Sequence, residues 1–201
     1  MRSIREPMSR TSSPPSEKSI RPYNYVALLR GVNLGGKNKL PMKDLAEMFL
    51  AAGCTDVKTF IQSGNVLFNA PVKVAGRIAA VIPEGVGKRF GHKPPIVIRT
   101  REQLAFAAAN NPFLRDGASE DMVHLLFLAD VPDANCVSAL DPARSAPDAF
   151  AVRGAEIYLH LPHGVADTKL TNAYFDSKLK TISTGRNWRT VMTLLEMMNG
   201  G

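Results

Sequence analysis

The hydrophobic positions of residues 23–100 change from the period of a strand to that of a helix and back again. Short apolar or alternating runs are typical of strands, whereas apolar residues three and four positions apart are typical of a helix. The predicted elements are a strand at residues 25–30, a helix at 41–53, a hairpin of strands at 57–61 and 66–68, a helix around 74–82 and a strand at 96–98. We expect Pro83-Glu84-Gly85 to interrupt the second helix. The order is β-α-β-β-α-β.

The same order recurs in the second half of the chain. Thr100 and Gln103 have the spacing of a capping box and predict a linking helix, which Asn110-Asn111-Pro112 ends. The elements that follow are a strand at residues 123–128, a short helix at 134–140, a hairpin of 150–152 and 157–161, a helix at 168–179, a short strand near 182 and a terminal amphipathic helix. Two β-α-β-β-α-β units predict an α+β fold of two tandem ferredoxin-like (alpha-beta plait) domains with antiparallel sheets and a C-terminal helix.

These patterns divide the chain into three parts. Residues 1–22 are rich in Ser, Pro and Arg, and their five basic residues less two acidic ones give a charge of +3. Such a composition predicts a disordered basic tail, because it offers too little apolar surface to bury. Residues 23–100 form the first predicted ferredoxin-like domain, and residues 101–201 form the linking helix and the second.

Composition and charge narrow the classes of function. Of the 201 residues 45% are hydrophobic and 21% are charged, as in ordinary globular proteins. No apolar run approaches the ~20 residues of a membrane span, and the two cysteines are expected to be reduced thiols. We therefore expect a cytoplasmic protein without a membrane partner. The net charge of +7 favours an anionic partner, either nucleic acid or a phosphorylated small molecule, but only in general terms, because residues 1–22 carry +3 of it and the remainder only +4.

The loop after the first strand carries the main candidate chemistry. Gly31-x-x-x-x-Gly36-Lys37 matches a nucleotide-binding P-loop up to its last position, where Asn38 replaces the Ser or Thr that holds Mg²⁺. Pro41 also delays the helix, so that the helix dipole does not point into the loop. The candidate ligand-binding residues here are the cations Arg30, Lys37 and Lys39 with the amides Asn33 and Asn38. The alternative is a solvated turn whose glycines serve backbone geometry alone.

The hairpin between the second and third strands adds two candidates. Gln62 and Asn65 are expected to face the loop, because the first and third strands are neighbours in this topology. A second function is then a phosphoryl or acyl-phosphate hydrolase, in which Arg30 holds the anion and Asn65 orients a water, by analogy of fold with small acyl phosphatases. The alternative is that Ser63-Gly64-Asn65 only forms a turn.

The start of the terminal helix is a second basic patch. Arg186, Asn187 and Arg189 lie where exposed N–H groups attract an anion. The alternative is that Asn187 caps the helix and Trp188 packs beneath it. His160 and His163 have no Cys, Asp or Glu cluster beside them, so we predict no metal, and we predict no cofactor. No catalytic residue is assigned.

Several motifs together resemble one protein family. They are Ala-Leu-Leu-Arg-Gly-Val-Asn-Leu-Gly-Gly-Lys-Asn-Lys-Leu-Pro-Met (27–42), Ile-Gln-Ser-Gly-Asn-Val (61–66), Asn-Pro-Phe (111–113), Ser-Lys-Leu (177–179) and Arg-Asn-Trp-Arg-Thr-Val (186–191). The chain resembles domain-of-unknown-function family 1697 (DUF1697), found mainly in bacteria, over roughly residues 23–199. The resemblance implies two alpha-beta plait domains and no established activity. The chain departs from the family pattern at Pro83-Glu84-Gly85, where the family more often has a continuous helix, and at Gly185, where it usually has a threonine.

Overall fold

A computed structural model describes residues 22–201, so that the predicted tail lies outside the described residues except for its last position. The first half contains β1 (Tyr25–Leu29), α1 (Met42–Ala51), β2 (Thr55–Phe60), β3 (Asn65–Asn69), α2 (Val72–Phe90) and β4 (Ile96–Thr100). The link consists of α3 (Arg101–Ala109) and α4 (Pro112–Arg115). The second half contains β5 (Val123–Leu128), α5 (Ala134–Ser138), β6 (Ala149–Arg153), β7 (Glu156–His160), α6 (Asn172–Leu179), β8 (Ser183–Asn187) and α7 (Trp188–Met198).

Two predicted helices are wrong in their extent. Pro83 does not interrupt α2, which continues for 19 residues. A proline inside a helix removes one hydrogen bond, but here Ile78, Ile82 and Val86 bury one face of the helix around it. The other helix, α6, begins at Asn172 instead of residue 168, because the Thr171 hydroxyl accepts a hydrogen bond from the Tyr174 N–H and caps it there. The capping box of Thr100 and Gln103 is confirmed.

Two four-stranded antiparallel sheets form the centre of the molecule. Their strand orders are β2-β3-β1-β4 and β6-β7-β5-β8. Each half therefore places its first strand between its third and fourth, and the α+β class is confirmed. In the first sheet Tyr25 pairs with Phe68 and Thr100, and in the second His124 pairs with Leu159 and Asn187.

The hydrophobic core has three parts, one outside each sheet and one shared between the halves. The outer face of the first sheet packs against α1 and α2, with Phe49, Phe68, Ile78 and Ile82 among its buried residues. The shared core joins Val26, Leu28 and Leu67 of the first sheet with Leu125, Phe127 and Tyr158 of the second, and with Leu104 of α3 and Trp188 of α7. The outer face of the second sheet packs Leu126 and Leu159 against Phe175 and Leu179 of α6.

Both central strands are largely apolar, apart from His124 in β5, because both of their faces are buried. Val26 and Leu28 face the shared core, whereas Ala27 and Leu29 face the outer helices. The Tyr158 hydroxyl in the shared core donates a hydrogen bond of 2.9 Å to the Ala107 carbonyl and so joins β7 to the linking helix. Within residues 22–201, none of the helices has the length and apolar content that crossing a bilayer requires.

The turn between β2 and β3 contains a strained residue. Ile61 has a φ of +48°, a left-handed conformation that β-branched side chains avoid, and its side chain is half exposed. We expect Ile61→Asn to raise the free energy of unfolding by about 1 kcal/mol, because asparagine tolerates this conformation. Val131→Asn, at another exposed apolar residue without a positive φ, should change it by less than about 0.5 kcal/mol. Urea unfolding of both variants measures these free energies. Equal changes in the two variants would show that Ile61 is not strained.

Candidate functional site

The candidate loop, residues 31–40, has a backbone that only a few residue types can follow. It leaves β1 and returns to α1, which begins five residues after Lys37. Its residues with positive φ are Gly31, Asn33, Gly35, Gly36 and Asn38. Glycine has no Cβ to clash in this conformation, and asparagine tolerates it better than most residues. The path of the backbone therefore explains why the loop is rich in glycine and asparagine.

Two asparagine side chains hold the loop in this path. The Asn33 amide donates to the Leu40 carbonyl (2.9 Å) and the Gln62 carbonyl (3.0 Å), and its oxygen accepts from the Leu40 N–H (2.8 Å). The Asn38 amide donates to the Gly31 carbonyl at 2.9 Å. Both asparagines are thus occupied within the protein, and the predicted proximity of the loop to Gln62 is observed through the Gln62 backbone.

The two lysines of the loop, in contrast to its asparagines, extend into solvent. All six residues from position 34 to position 39 are exposed, including Leu34 at 63% of its surface. Neither Lys37 nor Lys39 forms an ion pair with any acidic residue in the described part of the chain. The loop therefore presents two uncompensated ammonium groups on a fixed backbone.

Arg30 does not belong to this open surface. Its Nη1 donates to Asp176 Oδ2 at 2.7 Å and to the Ser183 carbonyl at 2.8 Å. Asp176 also accepts from the Ser183 hydroxyl at 2.6 Å. Asp176, a carboxylate of the second half, thus balances the charge of the arginine that was expected to bind a ligand.

Arg186 is also turned inward, away from the predicted basic patch. All five N–H groups of its guanidinium are donated. The acceptors are Asn65 Oδ1 (2.6 Å), Thr184 Oγ1 (3.1 Å), and the carbonyls of Gly185 (2.7 Å), Leu29 (2.8 Å) and Ser63 (3.1 Å). Every acceptor is neutral, so hydrogen bonds and not an ion pair hold this charge. Burial lowers the pKa of Arg186 to about 10, and the side chain stays charged at neutral pH.

Asn65, the side chain expected to orient a water in the hydrolase arrangement, does not reach the protein surface. Asn65 is completely buried. Its amide donates to the Phe60 carbonyl and the Ser63 hydroxyl, and its oxygen accepts from Arg186. Asn65 is therefore enclosed by protein groups, while Arg30 donates through Nη1 to Asp176 and Ser183, and the two side chains do not share an open site.

A third arginine, Arg99 of β4, was missed at the level of the sequence. It is 5% exposed, and its Nε lies 3.0 Å from Glu156 Oε1. Its Nη2 donates to the carbonyls of Leu128 (2.7 Å) and Ala155 (2.9 Å) in the second half. The available signal was an arginine directly after the buried strand residues Ile96-Val97-Ile98. Arg30, Arg99 and Arg186 therefore join the two halves through backbone carbonyls.

The start of α7 follows the structural alternative and not the ligand-binding one. The Asn187 side chain accepts a hydrogen bond from the Thr190 N–H at 2.8 Å and caps the helix. Trp188 is 2% exposed and lies in the shared core. Arg189 is 84% exposed and lies 3.5 Å from Asp121, a weak surface pair. Of the three residues predicted for this patch, only Arg189 keeps its charged group in solvent.

Other reactive groups do not add a catalytic arrangement. Cys54 is buried without a disulfide partner, and burial raises the pKa of its thiol to about 11, which disfavours the nucleophilic thiolate. Among the residues that the structure describes, no three His, Cys, Asp or Glu side chains come together as a metal site requires.

Comparisons with known proteins support one family and one fold. A family model described as "Protein of unknown function (DUF1697)" matches residues 23–158, a shorter part than the motifs implied. A solved structure, that of the conserved bacterial protein SP0830 from Streptococcus pneumoniae, has a TM-score of 0.64 and 20% identity, and covers 89% of this chain and 99% of that chain. At this identity the likeness concerns the fold alone. No curated protein matches the chain.

Proposed function

The chain belongs to the DUF1697 family of unknown function, and we propose that it binds an anionic partner through the lysine loop, residues 31–40. The observation that supports this function is the pair of exposed ammonium groups of Lys37 and Lys39 on a loop that Asn33 and Asn38 hold in place. Val32 and Leu40 anchor the two ends of the loop in the core, whereas residues 34–39 between them are exposed, so the fixed path of this middle part buries no side chain.

The phosphate backbone of a nucleic acid is the anion that fits this surface best. A single exposed lysine contributes little, because water and salt screen its charge. A polyanion gains from several such contacts at once, since each neutralised phosphate releases counterions. Lys43 at the start of α1 is also exposed, and no acidic residue lies between it and the loop in the sequence. The net charge of +7 adds long-range attraction of the same sign.

The locked backbone favours binding by reducing its entropic cost. A flexible loop loses conformational freedom when it binds, and this loss subtracts from the affinity. The bonds of Asn33 to Leu40 and Gln62, all of 2.8–3.0 Å, restrict the loop before any partner arrives. The positions of the two ammonium groups are therefore partly determined in the free protein.

The test is the salt dependence of oligonucleotide binding, measured by fluorescence anisotropy. We expect Lys37→Ala/Lys39→Ala to weaken binding of a labelled oligonucleotide and to reduce the slope of log K against log salt by about 2, one for each lost phosphate contact. The matched control, Lys73→Ala/Lys178→Ala, removes the same charge at exposed positions of α2 and α6. The control variant should keep the slope of the wild-type protein.

Two results would contradict this function. If both double variants lose affinity equally, net charge and not the loop attracts the nucleic acid. If the wild-type protein binds no oligonucleotide at low salt, nucleic acid is not the partner. A panel of sugar phosphates read by thermal shift then tests the smaller anion, because a ligand at a hundred times its Kd stabilises by about 2.7 kcal/mol.

We also propose that each half is a ferredoxin-like domain and that the boundary lies at residues 100–101. The repeated element order and the repeated strand order support this assignment. The core shared by both halves implies that the domains are not independent in stability. Because Arg30 and Asn65 are occupied, we do not propose the hydrolase.

A further inference from the structure

The two sheets differ in how much of their outer faces the helices cover. On the first sheet, α1 and α2 have 10 and 19 residues, and at 1.5 Å per residue they span about 15 and 28 Å. On the second sheet, α5 and α6 have only 5 and 8 residues, or about 8 and 12 Å. A strand of five residues is about 17 Å long. The helices of the second half are therefore too short to cover their sheet alone, and Leu140, Leu161 and Leu170 from the connecting segments complete the buried layer.

A cavity of about 290 Å³ lies on this outer face. Leu126, Leu159 and Leu161 line its floor, and each is at most 4% exposed, so that the floor of the cavity is apolar. The segment that precedes α6 lines another side with Val165 and Leu170. The volume is just below the range of ligand pockets, about 300–1,000 Å³, so the cavity suits only a small ligand.

Gly185 of β8 keeps the cavity open. A Cβ at this position would lie 3.5 Å from Leu126 Cδ1 and 4.0 Å from Asn172 Oδ1, both of which belong to residues lining the cavity. Gly185 is not among the residues with positive φ, so its backbone does not require glycine. What the glycine provides is the space that a side chain would occupy.

The charges around the cavity favour an anion. No acidic residue is among the side chains that line it. The start of α6, with Thr171 and Asn172, lies at its wall and contributes the positive end of the helix dipole. Arg186 follows Gly185 in β8, but its guanidinium is directed toward the first half, where it donates to Asn65, Leu29 and Ser63, so it contributes only a more distant positive charge.

One imidazole also lines the cavity. His124 lies on β5 beside Leu159 and Asn187. Its Nδ1 is buried and has no hydrogen-bond partner within residues 22–201. A neutral imidazole carries one donor and one acceptor. Because Nδ1 has almost no accessible surface, a ligand would recover its unmade hydrogen bond only after a small rotation of the ring toward the cavity.

We propose that this cavity binds a small organic anion with an apolar body, such as a short-chain aliphatic or aromatic monocarboxylate. The leucine floor takes the apolar body, and the helix start and His124 take the carboxylate. This site lies in the second half and does not depend on the lysine loop, so either one can fail without the other.

The experiment uses hexanoate and benzoate as probes, with the uncharged hexanamide and benzamide as controls for charge. Binding to the full chain is measured by calorimetry and by NMR shifts of the Gly185 and His124 amides. We expect both carboxylates to bind about tenfold more tightly than their amides and to shift these resonances. We expect Gly185→Val to weaken carboxylate binding at least about tenfold, because its methyl groups fill the cavity, whereas the Lys37→Ala/Lys39→Ala variant binds them as the wild-type protein does.

Folding of Gly185→Val is checked by its melting temperature, and Gly185→Ala provides a smaller change at a contact distance that ordinary side chains tolerate. If Gly185→Val does not fold, Gly185→Ala should still weaken binding measurably. The proposal is overturned if neither carboxylate binds, if the amides bind equally well, or if folded position-185 variants bind carboxylates with unchanged affinity.

Discussion

Replacement of Arg186 by methionine will lower the free energy of unfolding by about 3 kcal/mol. Methionine keeps much of the apolar stem but leaves five acceptors without their donor. Three of them, Leu29 O, Ser63 O and Asn65 Oδ1, belong to the first half, 121 to 157 residues away in the sequence. A buried acceptor that loses its partner costs about 1–3 kcal/mol. Removal of the buried charge recovers part of this cost, because its desolvation opposed folding.

Urea unfolding followed by tryptophan fluorescence measures this loss of stability with a probe close to the substitution. Trp188 is the single tryptophan of the chain, lies two residues from Arg186 and is 2% exposed in the shared core. The matched control is Arg189→Met, the same substitution three residues away at a side chain that is 84% exposed. We expect the control to change stability by less than about 0.5 kcal/mol.

Arg186→Lys separates the charge from the hydrogen bonds. Lysine keeps a positive charge but has three donors on a single nitrogen, so it cannot serve five acceptors in a planar fork. Its stability should fall between that of the wild-type protein and that of the methionine variant. If Arg186→Met and Arg189→Met have equal effects, the contacts of Arg186 do not hold the two halves together.

Replacement of Gly64 by alanine will have a comparable effect, a loss of about 3 kcal/mol. Gly64 has a φ of +73°, and an alanine Cβ there would lie 2.8 Å from both Leu29 Cβ and Val32 Cγ2. The left-handed conformation costs an alanine about 1–2 kcal/mol, and the overlap with β1 costs about 1–3 kcal/mol more. Neither neighbour can move freely, since Leu29 and Val32 are both buried.

Gly36→Ala provides the control for this substitution. Gly36 has a φ of +80°, but no heavy atom lies within 4 Å of an added Cβ. Its loss of stability should therefore be limited to the conformational cost of about 1–2 kcal/mol. Thermal unfolding of the two variants gives the difference that belongs to the close approach. Equal losses would show that the hairpin turn does not press against β1.

Arg186→Met and Gly64→Ala act on the same junction, where the β2–β3 turn meets the end of β1. The Leu29 N–H donates to the Gly64 carbonyl at 2.8 Å, and Arg186 binds the carbonyls of Leu29 and Ser63 from the second half. The lysine loop begins immediately after this junction. The contacts that stabilise this junction therefore also hold the start of the loop that carries Lys37 and Lys39.

Two of the arginines that the sequence suggested as ligand-binding residues have partners inside the protein. Arg30 and Arg186 lie beside glycine and asparagine in the sequence, a setting that favours ligand-binding cations. The structure uses them to satisfy backbone carbonyls of the opposite half instead. Sequence reasoning could not distinguish these roles, because the deciding acceptors lie more than 100 residues away.

The order of helices and strands, the α+β class, the caps at Thr100 and Asn187 and the delayed start of α1 were determined by the sequence alone, because period, capping and proline act over a few neighbouring residues. The tertiary structure decided which arginines have partners inside the protein and which lysines stay exposed. It also decided that α2 continues through Pro83 and that the short helices of the second half leave a cavity. These properties depend on distances between distant segments, and only the folded chain brings those segments together.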